Sequence, residues 1–269
     1  MKEVASLRYG IIFKKAFCDP DIFKAFVHDF LDIEMEIDHV ETEKAFSPPI
    51  GRVDTRFDLF AEDKSNRVIV DIQHVRYPDH YDRFLYYHCA AMMEMVASSK
   101  EYRPKTRVFT IVVLTSGDRH KKDVGMTIFD PVDIDGHPYG EIPHKILHIC
   151  PKYLNDRTPE PYREWMLAIE DSLDEVVDET TYSRPEILAL FRRIEKNEIT
   201  PTENAAMKDE YGQRQLLDEK YEKGREKGRE ETAVSLIKMG ALTEEQISQA
   251  TGLPVEEIRR LQVHGEVAS

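Results

Sequence analysis

Cysteine, long apolar runs and positive charge are all scarce in this 269-residue chain. The three cysteines, Cys18, Cys89 and Cys150, stand far apart, with no CxxC pair and no histidine at zinc-ligand spacing. Neither a disulfide framework nor a zinc site is expected, and the thiols read as buried. The longest apolar stretch, around Arg107 to Leu114, falls far short of the roughly 20 residues that a spanning helix needs, so no membrane partner is expected. The opening MKEVASLRYG has no apolar core ahead of a small-residue cleavage site. A secretory signal is therefore not expected, and the cytoplasm is the expected location.

Basic residues number 37 against 51 acidic ones, a net charge of −14, which counts against a protein that simply coats nucleic acid. The imbalance is uneven. Residues 1 to 150 hold 20 basic and 25 acidic side chains, whereas 151 to 269 hold 17 and 26. The bulk composition, 41% hydrophobic and 33% charged, is that of a globular protein with one sizeable core and an appendage.

What is present is periodicity. Apolar residues from Tyr9 to Leu31 recur at steps of three and four, which predicts helix, interrupted at Asp19-Pro20 with Asp19 as the cap of a second helix. Three stretches have strand character: Ile37 to Phe46, Arg52 to Glu62 and Arg67 to Val75. In the second, Val53, Thr55, Phe57 and Leu59 alternate with Asp54, Arg56, Asp58 and Phe60, as on a strand with one polar face. The tetrapeptide Asp63-Lys64-Ser65-Asn66 predicts a turn that closes the last two strands into an antiparallel hairpin. A helix over Asp79 to Ser98 and strands over Lys105 to Thr115 and Lys145 to Ile149 follow. This order predicts an α/β fold, a mixed sheet flanked by helices.

Beyond Pro151 the patterns are helical: Pro161 to Val177, Arg184 to Lys196, and a charged run from Thr202 that Gly224 and Gly228 weaken by roughly 1 kcal/mol each. Thr243 followed by Gln246 predicts a capping box in a small helix-turn-helix outline near the end. The expected divisions are a core over 1–150, a helical extension over 151–200, a charged spacer over 201–233 and a helix-turn-helix-like tail over 234–269.

Asp71-Ile72-Gln73 carries the most chemistry. A strand period of two turns Asp71 and Gln73 to one face, and the hairpin brings Asp58 across from them. Two carboxylates and an amide at one spot suit Mg²⁺, which takes one or two carboxylates and keeps waters for a phosphate to displace. Asp54 is the alternative first ligand, and Arg83 or Arg76 the candidate source of positive charge. Arg119-His120-Lys121-Lys122 forms a basic loop that could meet a DNA backbone or merely face solvent.

The segment FDLFAED-KSN-RVIVDIQ and the following YDRFLYYHCAAM resemble the Rpn family of recombination-promoting nucleases and transposases. FKKAFCDPDIFKAFVHDFL near the start and GREKGREE with TEEQISQATGLPVEEI near the end extend the likeness over most of the chain. The resemblance implies a restriction-endonuclease-like core of the PD-(D/E)xK type with a helical C-terminal extension. It implies a metal-dependent DNA endonuclease with Asp58 and Asp71 on Mg²⁺ (Mn²⁺ as a substitute), Gln73 completing the catalytic set, and Arg83, Tyr86 and Tyr87 toward the substrate. A role in recombination, with DNA as partner, is implied as well, and a homodimer would let two sites address two strands. The chain departs from the family in one place, where Asp71 stands for the usual glutamate and shortens the reach by one methylene. The alternative is an inactive protein of the same fold that binds DNA or assists assembly.

Overall fold

The computed structural model describes residues 1–46, 55–74, 80–95 and 106–267, with side chains described to residue 262. Asp54 and Arg76 lie outside the described residues. In chain order the elements are β1 (Lys2–Glu3), α1 (Gly10–Phe17), α2 (Pro20–Leu31), β2 (Glu41–Phe46), β3 (Thr55–Glu62), β4 (Asn66–Gln73), α3 (His80–Met93), β5 (Arg107–Leu114), β6 (Val124–Ile128) and β7 (Lys145–Ile149). There follow α4 (Tyr162–Ser172), β8 (Val176–Val177), α5 (Pro185–Arg193), α6 (Pro201–Met239), α7 (Glu244–Thr251) and α8 (Val255–Val267).

Six strands form one mixed sheet in the order β2-β3-β4-β5-β7-β6. The β3–β4 hairpin is antiparallel, with Leu59 opposite Val70 and Glu62 opposite Arg67. The Asp63 carboxylate holds its turn by accepting from the amides of Ser65 and Asn66, both at 2.7 Å. After the crossover through α3 the chain returns as β5, parallel to β4, and β7 lies parallel to β5. Consequently β4, β5 and β7 all end at the same edge of the sheet, the edge where open α/β sheets receive ligands.

The two sheet faces bury different partners. Leu59, Val70, Ile72, Ile111, Val113 and Leu147 pack with Phe13, Phe26, Trp165 and Phe191 of the helices α1, α2, α4 and α5. Phe60, Ile69, Val112 and Ile146 pack on the other face with Phe84, Tyr87 and Ala91 of α3. The extension after residue 150 thus shares the first core. Trp165 is fully buried, its indole N–H donating to Asp29 Oδ2 at 2.6 Å, and Arg184 pairs with the same oxygen at 2.6 Å. A buried carboxylate needs such partners.

Several sequence expectations meet their cause here. Asp19 caps α2, accepting from the amides of Asp21 and Ile22, with Pro20 in the first turn. Thr243 and Gln246 close a capping box on α7. The pattern over Pro161 to Val177 divides instead: α4 stops at Ser172, Glu175 takes a positive φ of 63°, and Val176–Val177 pair with Lys2–Glu3. Strand β6, which pairs with β7, lacks any forecast in the sequence because its five residues VGMTI alternate weakly and lie at the exposed sheet edge. Residues Met1–Met207 form one compact unit and Lys208–Ser269 another, so the boundary falls within α6. The second unit has a small core of Ala233, Ile247, Leu253 and Ile258.

Candidate metal and phosphate site

Asp58 sits where β3 parts from both of its neighbours. The β3–β4 pairing ends at Leu59 opposite Val70, although both strands continue. The Ile72 amide donates instead to Asp58 Oδ2 at 3.0 Å. On the other side, pairs exist at Thr42 with Leu59 and Lys44 with Phe57, but the intervening Glu43 has a φ of 56° and does not pair with Asp58. The strand alternation breaks at this point, a correction to the simple two-faced reading: Phe57 packs on the α3 face and Leu59 on the opposite one.

The next position in the hairpin register brings Asp71 against Asp58. Asp71 is only 4% exposed, and its Oδ2 has no hydrogen-bond partner among the described residues. Burial raises the Asp71 carboxyl well above the usual carboxylate range, the Asp58 charge raises it further, and the Arg83 guanidinium opposes both. Asp58 is also raised, by burial first, while the Ile72 amide and the Lys14 charge hold it down. Two carboxyls in such proximity do not readily ionise together, so their titration belongs to the pair rather than to either residue. An orphaned carboxylate oxygen beside a second carboxylate is a donor set that fits a hard divalent cation as well as a proton.

Positive charge flanks the pair. Lys14 of α1 places Nζ 3.7 Å from Asp58 Oδ1 and also pairs with Glu43. Arg83 of α3 lies over the Tyr87 ring at 5.3 Å and donates to its hydroxyl at 3.3 Å. Tyr87 itself is buried, edge-on to Phe57 and Phe84, while Tyr86 is half-buried beside it. Gln73 is half-buried at the end of β4, two residues beyond Asp71, and its carbonyl accepts the Thr115 amide at 3.1 Å. Of the residues singled out in the sequence, the fold therefore gathers Asp58, Asp71 and Arg83 most closely. Lys14 and Glu43 escaped the sequence reading, since their relation to Asp58 depends on how α1 and the edge strand β2 pack.

Three histidines on the α3 face serve the core. His88 accepts or donates at Thr110 Oγ1 at 2.9 Å and stacks on Phe129, and burial pushes its pKa down to about 3. His144 Nδ1 accepts the Val108 amide at 2.9 Å. Burial takes His148 down to about 4. Elsewhere Asp133, Asp135 and His137 come together on the exposed β6–β7 connection, but Asp133 already accepts from the amides of Asp135 and His137 to shape that turn. Comparison with protein-family models, curated proteins and solved structures gave no match.

Proposed function

We propose that this protein is a metal-dependent DNA endonuclease with a PD-(D/E)xK-type site, hydrolysing phosphodiester bonds in a recombination setting, as the likeness to the Rpn family implies. The observation that carries the reading is the buried carboxyl of Asp71 paired with the half-buried carboxyl of Asp58 at the open end of a strand hairpin, with Lys14 and Arg83 beside them. Asp58 and Asp71 would hold Mg²⁺ or Mn²⁺. A cation bound there supplies Lewis-acid stabilisation of phosphate charge and an acidified water.

The chain's own groups have distinct tasks in this scheme. The Ile72 amide fixes Asp58 in one orientation through Oδ2, and its other oxygen lies 3.7 Å from Lys14 Nζ. Arg83, steadied by Tyr87, offers a fixed guanidinium to a phosphate oxygen. Gln73 orients the attacking water through its amide, and Lys14 supplies the cationic charge that glutamine lacks. Tyr86 lines the approach on α3, and a homodimer would present two such sites to two strands.

A second reading, a scaffold of the same fold that binds DNA without cutting it, is favoured by the near-complete burial of Asp71. Supercoiled plasmid incubated with wild-type or Asp71→Asn protein in Mg²⁺, Mn²⁺ or EDTA separates the two. Metal-dependent nicking lost in the variant supports the nuclease. Persistent DNA binding with no nicking under any metal supports the scaffold.

A further inference from the structure

The loop after β5 is built rather than loose. Asp118 is buried, and its carboxylate accepts from the His120 amide at 3.0 Å, the Lys121 amide at 3.1 Å and the Tyr81 hydroxyl at 2.5 Å. Tyr153 donates to the Asp118 carbonyl, and its ring lies where a side chain at Gly117 would have to go, 2.5 Å from an ideal Cβ. Lys121 is held at a positive φ of 54°, a conformation that costs a non-glycine residue about 1 kcal/mol or more and persists only where its surroundings enforce it. A second loop is tied to the first through Thr158, whose hydroxyl donates to Asp123 at 2.7 Å.

This platform displays Arg119, Lys121, Lys122 and Arg157, all exposed. None of the four has a carboxylate in ion-pair range among the described residues, in a chain of net charge −14. Of the neighbouring acids, Asp118 and Asp123 are engaged by backbone and hydroxyl donors, and Asp156 pairs with Arg163. Lys121, Lys122 and Arg157 line a cleft of about 510 Å³ with Asn155 and Tyr162. Lys122 also borders a neighbouring cleft of about 370 Å³, whose wall includes Tyr81, His120 and His148. His148 is 3% exposed, and its Nε2 has no hydrogen-bond partner among the described residues.

The wall of the second cleft lies two strands from Asp71 in the sheet order. Across the sheet Asp71 is in register with Val112, Val112 with His148, and His148 with Gly125. At a strand spacing of about 4.8 Å, His148 lies about 10 Å from Asp71 and Gly125 about 14 Å. With a rise of about 3.4 Å per nucleotide, that distance corresponds to about three to four nucleotides of one strand. We propose that Arg119, Lys121, Lys122 and Arg157 form a phosphate track that seats the nucleic-acid strand flanking the Asp58–Asp71 site, with a nucleotide entering the cleft between Lys122 and His148. The track rests on the nuclease reading for its direction but binds without metal, which keeps the two separately testable.

Fluorescence anisotropy of a labelled DNA duplex and of the matching single strand, titrated with the full-length protein in EDTA over a range of salt, tests the track. Each phosphate contact removed should reduce the slope of log affinity against log salt by about 0.9 for duplex or about 0.7 for single-stranded DNA. The triple variant Lys121→Ala, Lys122→Ala, Arg157→Ala is expected to lose between two and three such contacts, with its thermal melt unchanged. Lys64→Ala, on the hairpin turn at the other end of β4, serves as the control and should leave the slope intact. A wild-type protein that does not bind DNA in EDTA, or a triple variant with the wild-type slope, overturns the proposal. So does a triple variant that loses only the binding of a labelled polyglutamate peptide, which would mark an acidic protein segment as the occupant. Loss of plasmid nicking in Asp71→Asn with an unchanged slope leaves the track standing, and absence of nicking in every protein sinks the nuclease alone.

Discussion

Asp58 takes the Ile72 amide at 3.0 Å immediately beyond the last paired residues of the β3–β4 hairpin. The carboxylate thereby satisfies a backbone donor that the parted strand leaves behind, and the gap that results is where Asp71 and Asp58 meet. Carboxylate geometry and strand distortion are one feature.

That coupling makes Asp71 costly at neutral pH. Its folded pKa is raised, so the folded state binds more protons than the unfolded state between the ordinary carboxylate value and the raised one. Stability therefore falls as pH climbs through that window. Asp71→Asn, which keeps the shape and removes the charge, is expected to raise the neutral-pH Tm without metal, by about 2–4 °C for each kcal/mol relieved. Wild type should gain about 2.7 kcal/mol of stability when the cation reaches 100 times its Kd, and the variant little of it. Melts with and without Mn²⁺ measure both; a variant that melts lower and still responds fully to metal would refute this account of Asp71.

Lys14 should oppose the cation while assisting the phosphate. Its Nζ is 3.7 Å from Asp58 Oδ1, and a unit charge at that range is worth about 1 kcal/mol even at the dielectric constant of water. Lys14→Met is expected to tighten metal binding several-fold, read by calorimetry, and to slow cleavage at saturating metal. Unchanged affinity together with unchanged cleavage would reduce Lys14 to a partner of Glu43.

The buried histidines set the acid limit. His88 and His148 are held neutral by burial, down to about 3 and about 4, whereas in the unfolded chain they take up protons near pH 6.5. Between those values the unfolded state binds more protons, so stability is lost as pH falls, at up to about 1.4 kcal/mol per pH unit for each ring. Urea melts from pH 7 to 4 should show that slope, and His88→Gln should reduce it. An unaltered slope would place the acid sensitivity elsewhere.

Gly117 is expected to tolerate no side chain. With φ of 72° and the Tyr153 ring in the way, Gly117→Ala should destabilise by about 1–3 kcal/mol and weaken metal-free DNA binding by disturbing the Asp118 turn. Equal stability and equal binding would show that the loop repacks freely.

Much of the frame was legible because local chemistry declared it. Asp19-Pro20, the Asp63–Asn66 turn and the Thr243–Gln246 box each carry their partner within a few residues. The pairing of Asp58 with Asp71 was legible for the same reason, since a short turn fixes the hairpin register. The break in alternation at Asp58 was not, because it arises from the edge strand at Glu43 and from the lost ladder with β4. Lys14 was equally hidden: α1 carries Lys14 and Lys15 side by side, and packing alone turns one to Asp58 and the other to Glu203. Strand β6 has too little apolar contrast to be distinguished from a loop.

The positive φ at Glu43 has an effect at the margin of the sheet as well. Strand β2 is the outermost strand on its side, six residues long, with Glu41, Thr42 and Glu43 directed at least partly to water and its pairing interrupted midway. An edge that is short, kinked and charged offers a poor template to a strand from another molecule. The distortion that opens the sheet beside Asp58 thus also guards this side of it against growing by β-addition.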